Sequence, residues 1–260
     1  MSIPTAVSRT EAARIALHCL DLTSLNDKDT EDDIRALCQR AQTPFGPVAA
    51  VCVWPRFVAL ARQLLPAGIR VAAVANFPEG ALDLQRALTD VQEIAQAGGD
   101  EVDIVLPYRA LMAGQVAQCA DFLAQVRAAS GPLVLKVIIE SGELTSPALI
   151  AQATTLALAA GADFVKTSTG KTTVSATPEA ARVMLREIAV SGRANAGFKA
   201  SGGIRTVGDA MVYLDLVRNS IGASALVPQR LRFGASGLLN DIEAVLQGQA
   251  PSDKPAAAGY

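Results

Sequence analysis

Eight times along this 260-residue chain, a short and nearly unbroken apolar run gives way to a longer stretch with helical periodicity. The runs fall at residues 16–23, 48–53, 69–76, 101–106, 133–140, 162–166 and 196–199, with a short last one at 232–233. Apolar runs of this length, bounded by turn residues, read as strands buried on both faces. Helical crossovers between such strands force them to lie parallel. The crossovers are expected at 29–42, 55–65, 82–97, up to about 129, then 146–160, 177–190, 206–219 and 235–246. Several carry start signals, among them Thr30 with Asp33, Ser146-Pro147 and Thr177-Pro178. Eight such units with no shift of composition between them fit an α/β chain folded as a closed (β/α)8 TIM barrel, a parallel sheet ringed by helices. The reading is one catalytic domain over residues 1–247, followed by a flexible tail at 248–260 containing Pro, Ala, Gly and Ser.

In such a barrel the chemistry sits at the C-terminal ends of the strands. Those ends offer Asp21, Cys52, Asn76, Asp103, Lys136 with Glu140, Lys166 and Lys199, expected to converge on one mouth. Lysine usage is the sharpest signal. Only six lysines are present, and three of them, Lys136, Lys166 and Lys199, interrupt strand-like apolar runs. A lysine at a strand end can snorkel its head to solvent, but several charges together in a core each cost several kcal/mol unless they are used. Alternation puts Asp103 on one face with Glu101 and Val105, and Lys166 with Phe164.

A free lysine titrates near 10.4 and is not nucleophilic at neutral pH. Burial and a second ammonium both disfavour its charged form, and lowering its pKa by about 3 needs roughly 4 kcal/mol of such bias. Lys199 on the next strand, about 4.8 Å away, is the natural partner. One lysine would attack a carbonyl while the other stays charged. Two glycine loops add a second half-site: Ser201-Gly202-Gly203-Ile204-Arg205 after strand seven, and Gly234-Ala235-Ser236 before the last helix. Loops there, with a helix N-terminus, form a phosphate cradle in many barrels. Thr169-Gly170-Lys171-Thr172 is no nucleotide loop, because Val165 stands where that motif needs glycine.

Composition narrows the rest. A net charge of −2 leaves no basic footprint for nucleic acid. The first residues lack the apolar core of a leader, and no run approaches the ~18 apolar residues of a membrane span. The chain is expected to be soluble and cytoplasmic. His18 is the single histidine, and the cysteines Cys19, Cys38, Cys52 and Cys119 are widely spaced, so neither a zinc site nor disulfides are expected, and no cofactor.

The segments LDLTSLN at 20–26, AAVCVWPRF at 49–57, NFPEG at 76–80 and DEVDIVLPYRALMAG at 100–114 resemble the deoxyribose-phosphate aldolase family of class I aldolases. So do LKVIIESGEL at 135–144, ADFVKTSTGK at 162–171, GFKASGGIRT at 197–206 and RFGAS at 232–236. The likeness covers residues 17–246. It implies that Lys166 forms a Schiff base, Lys199 tunes it, and Asp103 assists proton transfer through water. Asp21 and Thr23 would support the site or touch substrate hydroxyls, and Lys136 would pair with the carboxylates. Thr169, Lys171, Gly202, Gly203, Ile204, Arg205, Gly234 and Ser236 would contact substrate and phosphate. Cys52 resembles a thiol that reactive aldehydes trap, and Tyr260 a tail tyrosine that helps move a proton. The implied reaction is reversible cleavage of 2-deoxy-D-ribose 5-phosphate to acetaldehyde and D-glyceraldehyde 3-phosphate. The expected partners are a sugar phosphate and aldehydes, with neither nucleic acid nor membrane, and a homodimer is left open. Two departures stand out: Ala200 where the family often has proline, and Gly237 where it often has a second serine. The alternatives are another Schiff-base sugar-phosphate aldolase, of the transaldolase kind, and a non-catalytic sugar-phosphate-binding barrel.

Overall fold

The structure, a computed structural model, describes residues 7–249. Eight parallel strands close into a barrel: β1 Leu20–Thr23, β2 Ala50–Val53, β3 Arg70–Ala75, β4 Glu101–Val105, β5 Val134–Ile138, β6 Phe164–Lys166, β7 Gly197–Ser201 and β8 Leu231–Ala235. Each pairs with its sequence neighbours, and β8 pairs with β1 to complete the ring. The (β/α)8 expectation holds. Outside the sheet, helices α1 Arg9–His18, α2 Glu31–Arg40, α3 Val58–Leu64 and α4 Leu84–Gln96 pack in chain order. They are followed by α5 Tyr108–Met112, α6 Val116–Ser130, α7 Pro147–Ala159, α8 Pro178–Val190, α9 Val207–Ile221 and α10 Leu238–Leu246. No helix of the described residues is long and apolar enough to cross a membrane.

The start signals act as expected. Thr30 and Asp33 form a reciprocal capping box on α2, and the structure adds one not read from the sequence, Thr206 with Asp209 on α9. Ser146 and Thr177 cap α7 and α8 ahead of a proline at the first helical position. The stop that matters most for function follows α7. Gly161 takes φ of 91°, its N–H bonds the Leu158 carbonyl, and Ala162 N–H bonds that of Ala157. This tight left-handed ending lets the chain reverse into β6 within a few residues, which fixes how deep Lys166 sits.

Five boundaries differ from expectation, the last unit among them: β8 runs from Leu231 to Ala235 and takes in Gly234, and α10 starts at Leu238 rather than at residue 235. Residues 16–18 finish α1 rather than open β1, because Ala12, Ala13, Ala16 and Leu17 continue one buried helical stripe with no breaker between them. A small antiparallel hairpin, Gln42–Thr43 with Gly46–Pro47, precedes β2. The helix after β4 is two helices, separated at Gly114 where φ is 80°. Strand β7 runs on through Ser201, so the glycine loop begins one residue later than its sequence suggests.

A layer of Val, Ile, Leu, Phe and Ala between sheet and helices forms the core. The lumen differs. Barrel interiors are commonly filled with branched apolar side chains, whereas this one buries Asp21, Glu101, Asp103, Lys136, Lys166, Lys199 and Arg232, each no more than 5% exposed.

Candidate active site

Strand register brings the lysines together. Lys166 on β6 pairs directly with Lys199 on β7, which pairs in turn with Arg232 on β8. Across the lumen, Asp103 on β4 pairs with Lys136 on β5. Asp103 is the hub: its Oδ2 accepts from Lys166 Nζ at 2.8 Å and Lys199 Nζ at 2.7 Å, while its Oδ1 accepts from Lys136 Nζ at 2.7 Å. Asp21 Oδ2 accepts from Lys199 at 2.5 Å and Asp21 Oδ1 from Arg232 at 2.6 Å. Glu101 binds Lys136 at 2.6 Å and Arg232 at 2.7 Å.

The electrostatics separate the two lysines. Burial alone would discharge Lys199, but Asp103 and Asp21 outweigh it and hold its ammonium well above the usual range. Lys166 is pulled below the usual lysine range: burial favours the amine, Lys199 adds to that, and Asp103 only partly opposes it. Burial would raise both aspartates, yet Lys136, Lys166 and Lys199 hold Asp103 well below the ordinary carboxylate range, and Arg232, Lys199 and Lys136 do the same for Asp21. The site therefore holds one amine biased toward the neutral form beside an ammonium that keeps its charge.

Cys52 lies in the same lumen, its Sγ 4.0 Å from Asp103 Oδ2, with burial and then Asp103 pushing the thiol up to about 11. Thr23 is buried and spends its hydroxyl proton on the Asp21 carbonyl at 2.8 Å. Two residues expected to converge with the others stand apart from the charged cluster. Asn76 and Glu140 are the two non-glycine residues with positive φ among those described, 52° and 51°. That backbone breaks the alternation of a strand and sends each side chain into the loops. The Asn76 amide bonds the carbonyls of Ala81 and Val105 at 2.9 and 3.0 Å. Glu140 accepts from both the backbone N–H and the hydroxyl of Thr169.

That clamp shapes the mouth. Thr169 Oγ1 in turn accepts from Lys171 N–H at 3.0 Å, and Lys171 Nζ reaches across to the Leu25 carbonyl at 2.7 Å. The loop after β6 is thereby tied to the loop after β1. On the other side, Gly202 and Gly203 take φ of 81° and 78°, and Gly202 N–H bonds the Gly234 carbonyl at 3.3 Å, joining the two glycine loops. Gly203 and Ser236 are exposed, Ile204 is buried, and Arg205 donates its N–H to Asp209. The two helix ends behind these loops differ. The first turn of α9 is filled by Asp209 and by Asp241, which accepts from Val207 N–H at 2.7 Å. Helix α10 has Gly237 at its N-cap and no side-chain cap, so its N–H groups are the better anion donors. Gly234 has a second reason to be glycine: a Cβ there would come within 3.0 Å of Lys199 Cε and crowd Ser201.

Sequence reading missed Glu101 and Arg232 as members of the site. Both sit on the lumen face one layer below the lysines, and the signal was present: a charged residue inside each strand. Tyr260 lies outside the described residues.

The chain is similar to known proteins in sequence and fold. The deoxyribose-phosphate aldolase of Agrobacterium fabrum (strain C58) is 48% identical over 253 residues, covering 96% of each chain. A crystal structure provisionally assigned as a deoxyribose-phosphate aldolase from Coccidioides immitis superposes with a TM-score of 0.77 at 32% identity, over 90% of this chain and 87% of that one. A tetrameric deoxyribose phosphate aldolase from Aeropyrum pernix gives 0.69 at 25% identity over 92% of both. The model of the DeoC/LacD family aldolases matches residues 15–243, the whole span of the barrel, and the chain belongs to that family.

Proposed function

We propose that the protein is a class I deoxyribose-phosphate aldolase, cleaving 2-deoxy-D-ribose 5-phosphate reversibly to acetaldehyde and D-glyceraldehyde 3-phosphate. The observation that carries this is the pair Lys166 and Lys199 on one oxygen of Asp103. Lys166 attacks the C1 aldehyde of the open sugar and loses water to give an iminium, whose nitrogen accepts the electron pair as the C2–C3 bond breaks. Asp103, through a water molecule, carries the proton away from the C3 hydroxyl. With three lysines holding its charge, that carboxylate relays a proton rather than storing one. Glyceraldehyde 3-phosphate leaves; the enamine is reprotonated at C2 and hydrolysed to acetaldehyde and free Lys166.

Lys199 keeps Lys166 neutral, while Asp21, Thr23 and Lys136 support the two working residues. Thr169, Lys171, Gly202, Gly203, Ile204, Arg205, Gly234 and Ser236 contact substrate and phosphate, with the open end of α10 the strongest anion donor. Gly237 supplies no hydroxyl there, a loss of about 1 kcal/mol for one neutral hydrogen bond. Cys52 is the site at which reactive aldehydes would be captured, and Tyr260 is the candidate for helping to move a proton. The catalytic domain is assigned to residues 1–247 and a tail to 248–260; the setting is the cytoplasm, and the assembly to test first is a homodimer. No cofactor is assigned.

A donor panel tests the reading. Acetaldehyde with glyceraldehyde 3-phosphate should form the five-carbon sugar phosphate, and ketone donors should not react. Turnover of a ketone donor in preference to acetaldehyde would move the assignment to a transaldolase-like enzyme.

A further inference from the structure

The lumen holds more charged groups than two lysines and an aspartate require, and their contacts are unequal. Lys136 touches Glu101, Asp103 and Asp21, Lys199 touches Asp21 and Asp103, and Arg232 touches Asp21 and Glu101. Among the described residues, Lys166 touches Asp103 alone, on the oxygen it shares with Lys199. Three carboxylates thus stand against Lys136, Lys199 and Arg232, and the charges cancel with Lys166 left out. A proton on Lys166 would give a fully buried cluster a net positive charge, which a low-dielectric interior opposes.

We propose that Arg232 and Glu101, a layer beneath the nucleophile, set the charge count that leaves Lys166 as the one uncompensated amine, and so act as positioning residues for it. The inference rests on Lys166 being the nucleophile of the proposed aldolase.

The other charged and titratable groups in reach do not alter the count. Glu140, at the mouth, spends its oxygens on the N–H and hydroxyl of Thr169 rather than on a lysine of the cluster. Cys52 and Cys19 stay thiols, since burial pushes them up to about 11 and about 12. On the far side, Arg232 lies over the Phe164 ring and borders a cavity of about 550 Å³ at the N-terminal end of the barrel. The charged groups around that cavity have partners of their own: Arg70 pairs with Asp100 and Asp163 with Arg127. His18 holds the Arg14 carbonyl through Nδ1. None of these touches the inner cluster, so the inner cluster is the unit whose charge matters.

The signs follow from the count. Arg232→Met leaves the cluster with one net negative charge, so protonating Lys166 restores neutrality and is favoured. Glu101→Gln leaves it with one net positive charge, so protonation is opposed further. The double variant returns to zero. The readout is the pH dependence of borohydride trapping of acetaldehyde on Lys166, with the adduct mapped by peptide mass. The expected midpoint moves up by about 1 in pH in R232M, down by a similar amount in E101Q, and back to the parent value in R232M/E101Q. Arg232→Lys should keep the parent midpoint. A structural role alone would lower yield or rate in every variant and leave the midpoint in place, which would overturn the inference, as would midpoints moving the same way in both single variants. If R232M does not fold, E101Q decides: a midpoint that fails to move down overturns the proposal. Labelling of Lys166 with an unmoved midpoint would sink this inference alone, whereas no labelling of Lys166 at any pH would overturn the aldolase reading with it.

Discussion

Lys166 and Lys199 occupy directly paired positions on neighbouring strands and donate to the same carboxylate oxygen, Asp103 Oδ2, at 2.8 and 2.7 Å. Two ammoniums on one oxygen inside a closed barrel is an arrangement in which one of them is driven to give up its proton. Lys199 keeps its charge because Asp21 holds it from the other side at 2.5 Å; among the described residues Lys166 has no such second partner.

Lys199→Leu should therefore raise the pH at which Lys166 becomes neutral. Activity at pH 7 should fall at least about tenfold, and the acid limb of kcat/KM should move to higher pH, since raising the lysine pKa by about 1 cuts its neutral fraction about tenfold. A kcat/KM profile measured from acid to alkaline pH checks this. An unchanged acid limb would refute the tuning.

Asp103→Asn removes the hub and leaves three lysines without it. Removing one member of a buried ion network typically costs about 3–5 kcal/mol of stability, and loss of a proton-transfer group about 10²–10⁴ in rate. Urea unfolding of the variant and its single-turnover rate on the proposed substrate measure the two effects separately.

Stability should also depend on pH through this cluster. Asp103 and Asp21 have folded-state pKa values depressed below their unfolded ones. Their contribution is fully present above the unfolded value of about 3.9 and is lost as pH falls through the folded values. The free energy of unfolding should decline steeply below about pH 4, and Asp21→Asn should flatten that slope. Denaturant curves at successive pH values read it directly.

Most of the fold was legible because its signals are local. The capping pair Thr30–Asp33, the Ser146-Pro147 and Thr177-Pro178 starts, and the apolar strands each act within a few residues. The lysines were legible because an ammonium in an apolar run has few cheap explanations. What escaped was set by depth and backbone sign. Register pairs Arg232 with Lys199 on the next strand, and its long side chain reaches Glu101 across the lumen. Positive φ decides that Asn76 and Glu140 turn away to hold loops. The boundary at residues 16–18 failed because a helix ran into a strand with no punctuation between them.

Gly234→Ala should act on Lys199 rather than on phosphate, since the added methyl meets Lys199 Cε and the Ser201 side chain. The expected result is a fall in kcat with a displaced pH profile. Gly203→Ala meets no neighbouring atom and bears only the strain of its 78° φ, about 1 kcal/mol, so its effect should fall on KM for the phosphorylated substrate. Steady-state kinetics of the two variants side by side separate these roles.

The most direct measurement is the position of the covalent adduct. Incubating the protein with acetaldehyde and borohydride, then digesting and mapping by mass, should place a single ethyl group on Lys166, with Lys136 and Lys199 unmodified. An adduct on Lys199 or Lys136 with Lys166 untouched would contradict the account.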